Sequence, residues 1–315
     1  MSDTFYRQQL KKPQAQSFYD GLFQQTARGN TGGIYRLYAG EPKTAARDGL
    51  NAIKALHLDH PEFFHLGKTN RAILRGNVLT VINDILYSPE HTERLSRLLK
   101  HLLYKLSMDT QGLPAWERER IVYERIARYM RYENHREALD HNVAGPLLRK
   151  SGVCEGYTCL MTLTLRHVGI PCIKVSGRGR NEAHCWNLAW IDGKPCHLDV
   201  TWDREMNGYV PFVYFNLNDH DIRRTHTIST KGLPECTDSS LGFYQQSGLF
   251  FPSDRDGSQY IAKAFRKGAQ STQIRLADGL NIERCVKNGI AGAPAGRYIY
   301  HCNPDYKTAI VIKAT

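Results

Sequence analysis

Between Ser151 and Asp203 the chain reads SGVCEGYTCLMTLTLRHVGIPCIKVSGRGRNEAHCWNLAWIDGKPCHLDVTWD, and it holds a Cys, a His and an Asp in that order. Those three side-chain types form a working set when they meet. A thiol is a strong nucleophile only as thiolate, and a neighbouring imidazole stabilises that form as an imidazolium–thiolate pair. A carboxylate that accepts the other ring N–H fixes the orientation of the imidazole. The candidates are Cys154, His184 and Asp199, with His197 a weaker second histidine. Taken singly, each has a plain structural reading. Cys154 starts an apolar stripe, His184 is a hydrogen-bonded core histidine, and Asp199 caps a turn. His184, Cys185, Cys196 and His197 also invite a zinc reading, but zinc needs ligands that converge on one point. Adjacent residues of a strand point to opposite faces, so that set diverges and no metal is expected.

Two elements must position the candidates. Tyr157, Leu160, Met161, Thr164, Leu165 and Val168 recur along one face of a 3.6-residue period, which predicts a helix. Gly169 and Pro171 stop it, so Cys154 lies at its start. Unpaired backbone N–H groups and the positive end of the helix dipole favour a thiolate there. Asp192-Gly193 predicts a two-residue hairpin turn. Ile191 then faces Lys194, Trp186 faces Asp199 and His184 faces Thr201. In that register His184 and Asp199 are diagonal neighbours on one face, about 7–8 Å apart at the backbone and within side-chain reach. A slip of one residue would put Asp199 on the reverse face. Spacing alone does not bring Cys154 to His184.

The words SGVCEGY, HCWN and HLDVTWD, in this order and with these flanks, resemble the transglutaminase-like superfamily, whose core is shared with papain-like thiol enzymes. The resemblance is strongest over about residues 120–228, including YFNLNDHDIRRTH, and fainter at DHPEFFHLG. It implies an α+β fold in which the nucleophile's helix packs on an antiparallel sheet, with the His and Asp on adjacent strands. It implies Cys154 as nucleophile, His184 as general base and acid, and Asp199 as the group that orients His184. The chain departs from the pattern at VAGPL. Bacterial members carry an aromatic residue where Ala144 stands, and Pro146 follows. An upstream Trp serves true transglutaminases, but Trp116 starts a helix here and is not assigned that role.

Around this core the 315 residues divide into a mainly helical N-terminal region (1–110), the core (111–230), a linker or surface loop (231–258) and a small α+β C-terminal unit (259–315). Helices are predicted over 13–28, about 44–57, from Ser88-Pro89 onward, and about 115–132. Residues 71–82 read as a hairpin about Gly76-Asn77, and 133–150 as a polar loop. Val210–Asn216 reads as a further strand. The net charge of +11 would favour an acidic partner. Acids and bases alternate rather than forming a block, so an ordinary basic surface is the preferred reading and a nucleic acid is not the expected partner. The N-terminus lacks a secretory apolar run, and no stretch reaches a membrane span of ~18 apolar residues. All eight cysteines lie from Cys154 onward with no CxxC pair, which suits reduced thiols. These features point to a cytoplasmic protein, with delivery by a specialised secretion system left open.

The expected function is a thiol-dependent amide hydrolase or acyltransferase acting on a protein or peptide. Hydrolysis or deamidation is favoured over crosslinking because water is always present. No cofactor is called for, and no calcium loop is evident. The alternative is a catalytically silent module of the same fold used for binding or scaffolding.

Overall fold

The computed structural model describes residues 2–29 and 32–314. The chain is α+β. The longer elements are labelled in chain order. Helices α1 (Pro13–Ala27) and α2 (Pro42–Asp59) cover a three-stranded antiparallel sheet of β1 (Ile34–Tyr38), β2 (Leu66–Arg75) and β3 (Val78–Ile85), in the order β1-β3-β2. Phe18, Tyr19, Leu22, Ile53, Leu56, Leu79 and Val81 form the core between these layers. Arg75 pairs with Val78, so Gly76-Asn77 is the loop that the sequence predicts. The second strand of this hairpin, β3, runs on past residue 82 through Asn83 and Asp84 to Ile85.

Helix α3 (Pro89–Leu106) starts as the Ser-Pro signal predicts, with the Ser88 hydroxyl accepting from His91 N–H. It packs with α4 (Ala115–Tyr129) and α5 (Cys154–His167) into the largest core of the molecule. The α5 stripe understates its burial, since every residue from Gly156 to Leu165 is buried. The polar ones are satisfied locally. Thr158, Thr162 and Thr164 each donate to the carbonyl four residues back, a bond that lets a hydroxyl sit inside a helix core.

Behind α5 lies the central antiparallel sheet, made of β4 (Cys172–Gly179), β5 (Glu182–Ile191), β6 (Lys194–Leu198) and β7 (His226–Ile228) in the order β6-β5-β4-β7. Ile191 pairs with Lys194 and Asn187 with Leu198, the register set by the Asp192-Gly193 turn. Pairing stops there. Asp199, Val200 and Thr201 leave the sheet in a turn, so no ladder faces Asp199 with Trp186 or Thr201 with His184. Asp199 N–H instead donates to the Tyr214 carbonyl.

Val210–Asn216 does not form a strand. The buried Asp203 carboxylate takes the N–H groups of Val213 and Tyr214 at 2.9 and 2.6 Å, together with the Tyr123 hydroxyl at 2.7 Å. Phe212 and Asn216 adopt positive φ, which breaks an extended run. Donors that a neighbouring strand would need are spent on one side chain. Residues 133–150 contain a short 3-10 helix (Ala138–His141) and a short α-helix (Ala144–Arg149).

In 231–258, Cys236, Leu241 and Tyr244 are buried, and Trp116 Nε1 donates to the Leu241 carbonyl at 2.8 Å. This stretch is therefore packed against the core rather than free. Its last residues already belong to β8 (Phe250–Phe251) and α6 (Asp254–Arg266). The C-terminal unit adds β9 (Ser271–Leu276), α7 (Ile282–Ala291), β10 (Tyr298–Asn303) and β11 (Thr308–Lys313), with sheet order β8-β9-β11-β10. Phe5 from the N-terminal region and Tyr306 from the β10–β11 turn both enter the core beside Ile173, Val175, Trp186 and Tyr214. No helix among the described residues is long and apolar enough to cross a membrane.

Candidate active site

Cys154 is the first residue of α5. The loop that delivers it is tied by Asp140, whose carboxylate accepts the N–H groups of His135 and Glu137 while its carbonyl accepts from Val153. Gly156 lets this loop lie against the helix start. A Cβ there would come 3.0 Å from the Asp140 carbonyl oxygen. The N-cap residue Val153 has no side-chain oxygen to cap the first turn, so the dipole end is left to act on the thiol.

His184 is near the start of β5, paired across to Gly177 of β4. Its Nε2 donates to Asp199 Oδ2 at 2.7 Å, with the two side chains 8% and 0% exposed. With Nε2 committed, Nδ1 is the nitrogen left for another partner, and the Cys154 thiol lies close enough to the ring for each group to shift the ionisation of the other. The structure thus brings together the three residues that the sequence singles out. Trp202 and Trp186 flank the imidazole at 5.2 and 6.1 Å between ring centres. Gly179 makes room for this stack, since a Cβ there would meet Trp202 at 2.6 Å and His184 at 3.2 Å.

The electrostatics run in one direction. The Cys154 thiol is held well below the ordinary thiol range. A hydrogen bond with Cys185 contributes most, burial opposes it, and the hydrogen bond and charge of His184 add to the lowering. Burial would push His184 down, but the Asp199 carboxylate and the Cys154 thiolate lift it to about 10. Burial would likewise raise Asp199, yet His184 and His226 hold it at about 2. Together these shifts favour a thiolate, an imidazolium and a carboxylate beside one another. Cys185 moves the other way, well above the thiol range, and the His184 imidazolium beside Cys154 favours the charge on that sulfur.

Three neighbours escape a reading of the sequence. His226 of β7 is buried and its Nε2 donates to the same Asp199 oxygen, at 3.1 Å. It closes the YFNLNDHDIRRTH stretch, and the only available signal was a His at the head of a short β-forming run. Cys185, which the sequence offers only as a zinc candidate, has its sulfur 3.6 Å from the Thr158 hydroxyl and beside the Cys154 thiol. Tyr132 lies close enough for a Cys154 thiolate to help raise its phenol, after burial, and it packs near Tyr157 with ring centres 6.4 Å apart. Ala144, where the aromatic of the family pattern would stand, is fully buried. Trp116 has its indole N–H bound to Leu241 and so does not offer it to a substrate.

His197 is not part of this cluster. Its Nε2 meets Asp219 at 3.0 Å and its Nδ1 accepts from Trp186 Nε1 at 3.1 Å. Among the described residues, two groups bring three metal-capable atoms together: His184, Asp199 and His226, and His197, Asp219 and Cys236. In the second, the Trp186 bond to Nδ1 places the proton of a neutral ring on Nε2, where a metal would need a lone pair. In the first, both contacts have the length of N–H···O bonds and each imidazole has a further partner on its other side. Hydrogen bonding accounts for both groups.

Residues 104–202 match the model of the transglutaminase-like superfamily. Among solved structures, the chain is similar to a crystal structure of a TGase, at 13% identity and a TM-score of 0.34, over 46% of this chain and 47% of that one. It is also similar to a candidate cysteine protease from Cytophaga hutchinsonii, at 13% identity and a TM-score of 0.30, over 45% of this chain and 64% of that one. A third, a candidate protease from Parabacteroides distasonis, aligns at 13% identity and a TM-score of 0.26, over 41% and 35%. The match thus spans about half the length of the first of these structures. No curated protein matches the chain.

Proposed function

We propose that the transglutaminase-like domain at residues 104–202 makes this chain a thiol enzyme that cleaves or transfers amide-bonded acyl groups of a protein or peptide. The observation that carries the proposal is the buried Asp199–His184 hydrogen bond ending at a thiol whose ionised form is favoured. In this reading the Cys154 thiolate attacks the amide carbonyl and forms a C–S bond. The oxyanion is received by the Cys154 backbone N–H at the open first turn of α5. The His184 imidazolium gives its proton to the leaving nitrogen as the C–N bond breaks. The neutral ring then takes a proton from water, or from an acceptor amine, as that nucleophile attacks the thioester, and the C–S bond breaks to release the acyl product and return the Cys154 thiolate beside the His184 imidazolium. Asp199 holds the ring in the tautomer and orientation that both steps need.

Water as acceptor gives peptidase or deamidase activity, and a lysine amine gives a crosslink. We favour water, because water is always present whereas crosslinking needs a site that excludes it. The test is to incubate the enzyme with a protein-derived peptide library and read intact masses. A side-chain amide converted to an acid signifies deamidation, a shortened peptide signifies proteolysis, and a conjugate signifies transfer. Unchanged masses across the library, from a protein whose Cys154 is reduced, would contradict the enzymatic reading and leave a binding module.

A further inference from the structure

We propose that His226 is a positioning residue of this site, and that Tyr306 places it, which makes the C-terminal unit part of the active-site architecture. The inference rests on the triad reading above and extends it to residues outside the 104–202 match.

Asp199 Oδ2 accepts two N–H groups, from His184 at 2.7 Å and from His226 at 3.1 Å. Asp199 Oδ1 accepts the backbone N–H of Thr201 at 3.1 Å. A buried carboxylate with one partner can rotate about its last bond, whereas one with three donors on two oxygens is held in a single orientation. The His226 donor also favours the ionised carboxylate, and that carboxylate in turn supports the His184 imidazolium. The His226 side chain is fully buried. It acts through Asp199.

The ring of His226 is itself fixed on every side. Trp202 lies 4.5 Å from it, Trp186 4.8 Å and Tyr214 5.7 Å, between ring centres. Its Nδ1 meets the Thr225 hydroxyl at 2.9 Å. That hydroxyl meets the Tyr306 hydroxyl at 2.9 Å, so Tyr306 can donate to Thr225 and Thr225 to Nδ1, and the Asp221 carbonyl at 3.1 Å is a second acceptor for the Tyr306 proton. Tyr306 is fully buried, and it comes from the turn between β10 and β11. A hydrogen-bonded line therefore runs from the C-terminal sheet to the imidazole beside the candidate nucleophile, from Tyr306 through Thr225, His226 and Asp199 to His184. The same unit is clamped from outside as well. Arg275 of β9 bonds Asp221 at 2.8 Å, and Arg224 bonds Asp278.

The test reads the pH dependence of Cys154 alkylation by iodoacetamide in the full-length chain, by peptide mapping, which needs no substrate. Loss of the His226 donor makes the Asp199 carboxylate easier to protonate and weakens support for the ion pair at low pH. His226→Phe is expected to move the acid limb of the profile upward by about one pH unit, roughly a tenfold loss of rate on that limb, with the alkaline plateau within about twofold of wild type. His226→Gln keeps a side-chain N–H donor and is expected to restore most of the shift. Tyr306→Phe removes one hydroxyl from the line and is expected to shift the limb the same way by less. If His226→Phe fails to fold, the Gln and Tyr306 variants carry the test through the same comparison. A His226→Phe profile that superimposes on wild type, or a uniform loss at all pH that Gln does not rescue, overturns the proposal. A wild-type limb in the ordinary thiol range instead overturns the triad reading, and this inference with it.

Discussion

Cys154→Ala is expected to lower turnover of any amide substrate by about 10⁴-fold or more, the scale on which a nucleophile contributes in enzymes with an activated side chain. The change removes a small, partly buried sulfur at the start of a helix whose buried face begins at Gly156. Circular dichroism and the thermal midpoint are therefore expected to stay close to wild type. The electrostatic consequence is more specific. The His184 imidazolium loses one of the two anions that raise it, since Asp199 remains and the thiolate does not. An NMR titration of His184 should show its pKa fall from wild type in this variant. Full activity in Cys154→Ala would contradict the assignment of the nucleophile.

Asp199→Asn is expected to be nearly as damaging to turnover, by about 10⁴-fold, and it adds a cost in stability. Asp199 accepts from three N–H groups and donates to none of them. An asparagine has one acceptor oxygen. If the amide oxygen faces the two imidazoles, the NH₂ group confronts the Thr201 N–H. If it faces Thr201, the NH₂ confronts both rings and His184 loses its tautomer. Either way a buried donor is left unpaired, a penalty of about 1–3 kcal/mol. Chemical denaturation and kinetics separate the two effects. Activity within a few fold of wild type would remove the orienting role.

The sequence discloses these relations unevenly, for physical reasons. The Asp192-Gly193 turn admits one good geometry, so Ile191 pairs with Lys194 and the register counted from that pair holds as far as Asn187 and Leu198. The 3.6-residue pattern ended by Gly169 placed Cys154 at a helix start. Other features depend on contacts that no local pattern encodes. Val210–Asn216 has the composition of a strand, but Asp203 takes its N–H donors across a gap in sequence. The end of β6 before Asp199 follows from the same region, because Asp199 N–H goes to Tyr214. His226 reaches Asp199 only because β7 adds to the far edge of the sheet beside β4. Tyr306 reaches Thr225 because a turn of the C-terminal sheet enters the central core. The family resemblance joined Cys154 to His184 where spacing could not.

The central claim is that one thiol among eight is an ionised nucleophile because Cys185 and His184 stabilise its charge, with the first turn of α5 acting in the same direction. It is tested most directly by measuring, residue by residue, the rate of iodoacetamide alkylation of the native protein from acid to alkaline pH. Cys154 should react first, with a rate already near its plateau at pH values well below the ordinary thiol pKa of about 8.5. The other thiols should lag, since burial raises Cys159, Cys172, Cys196, Cys236, Cys285 and Cys302. A Cys154 that reacts no faster than these, with a limb near the ordinary thiol value, would contradict the account.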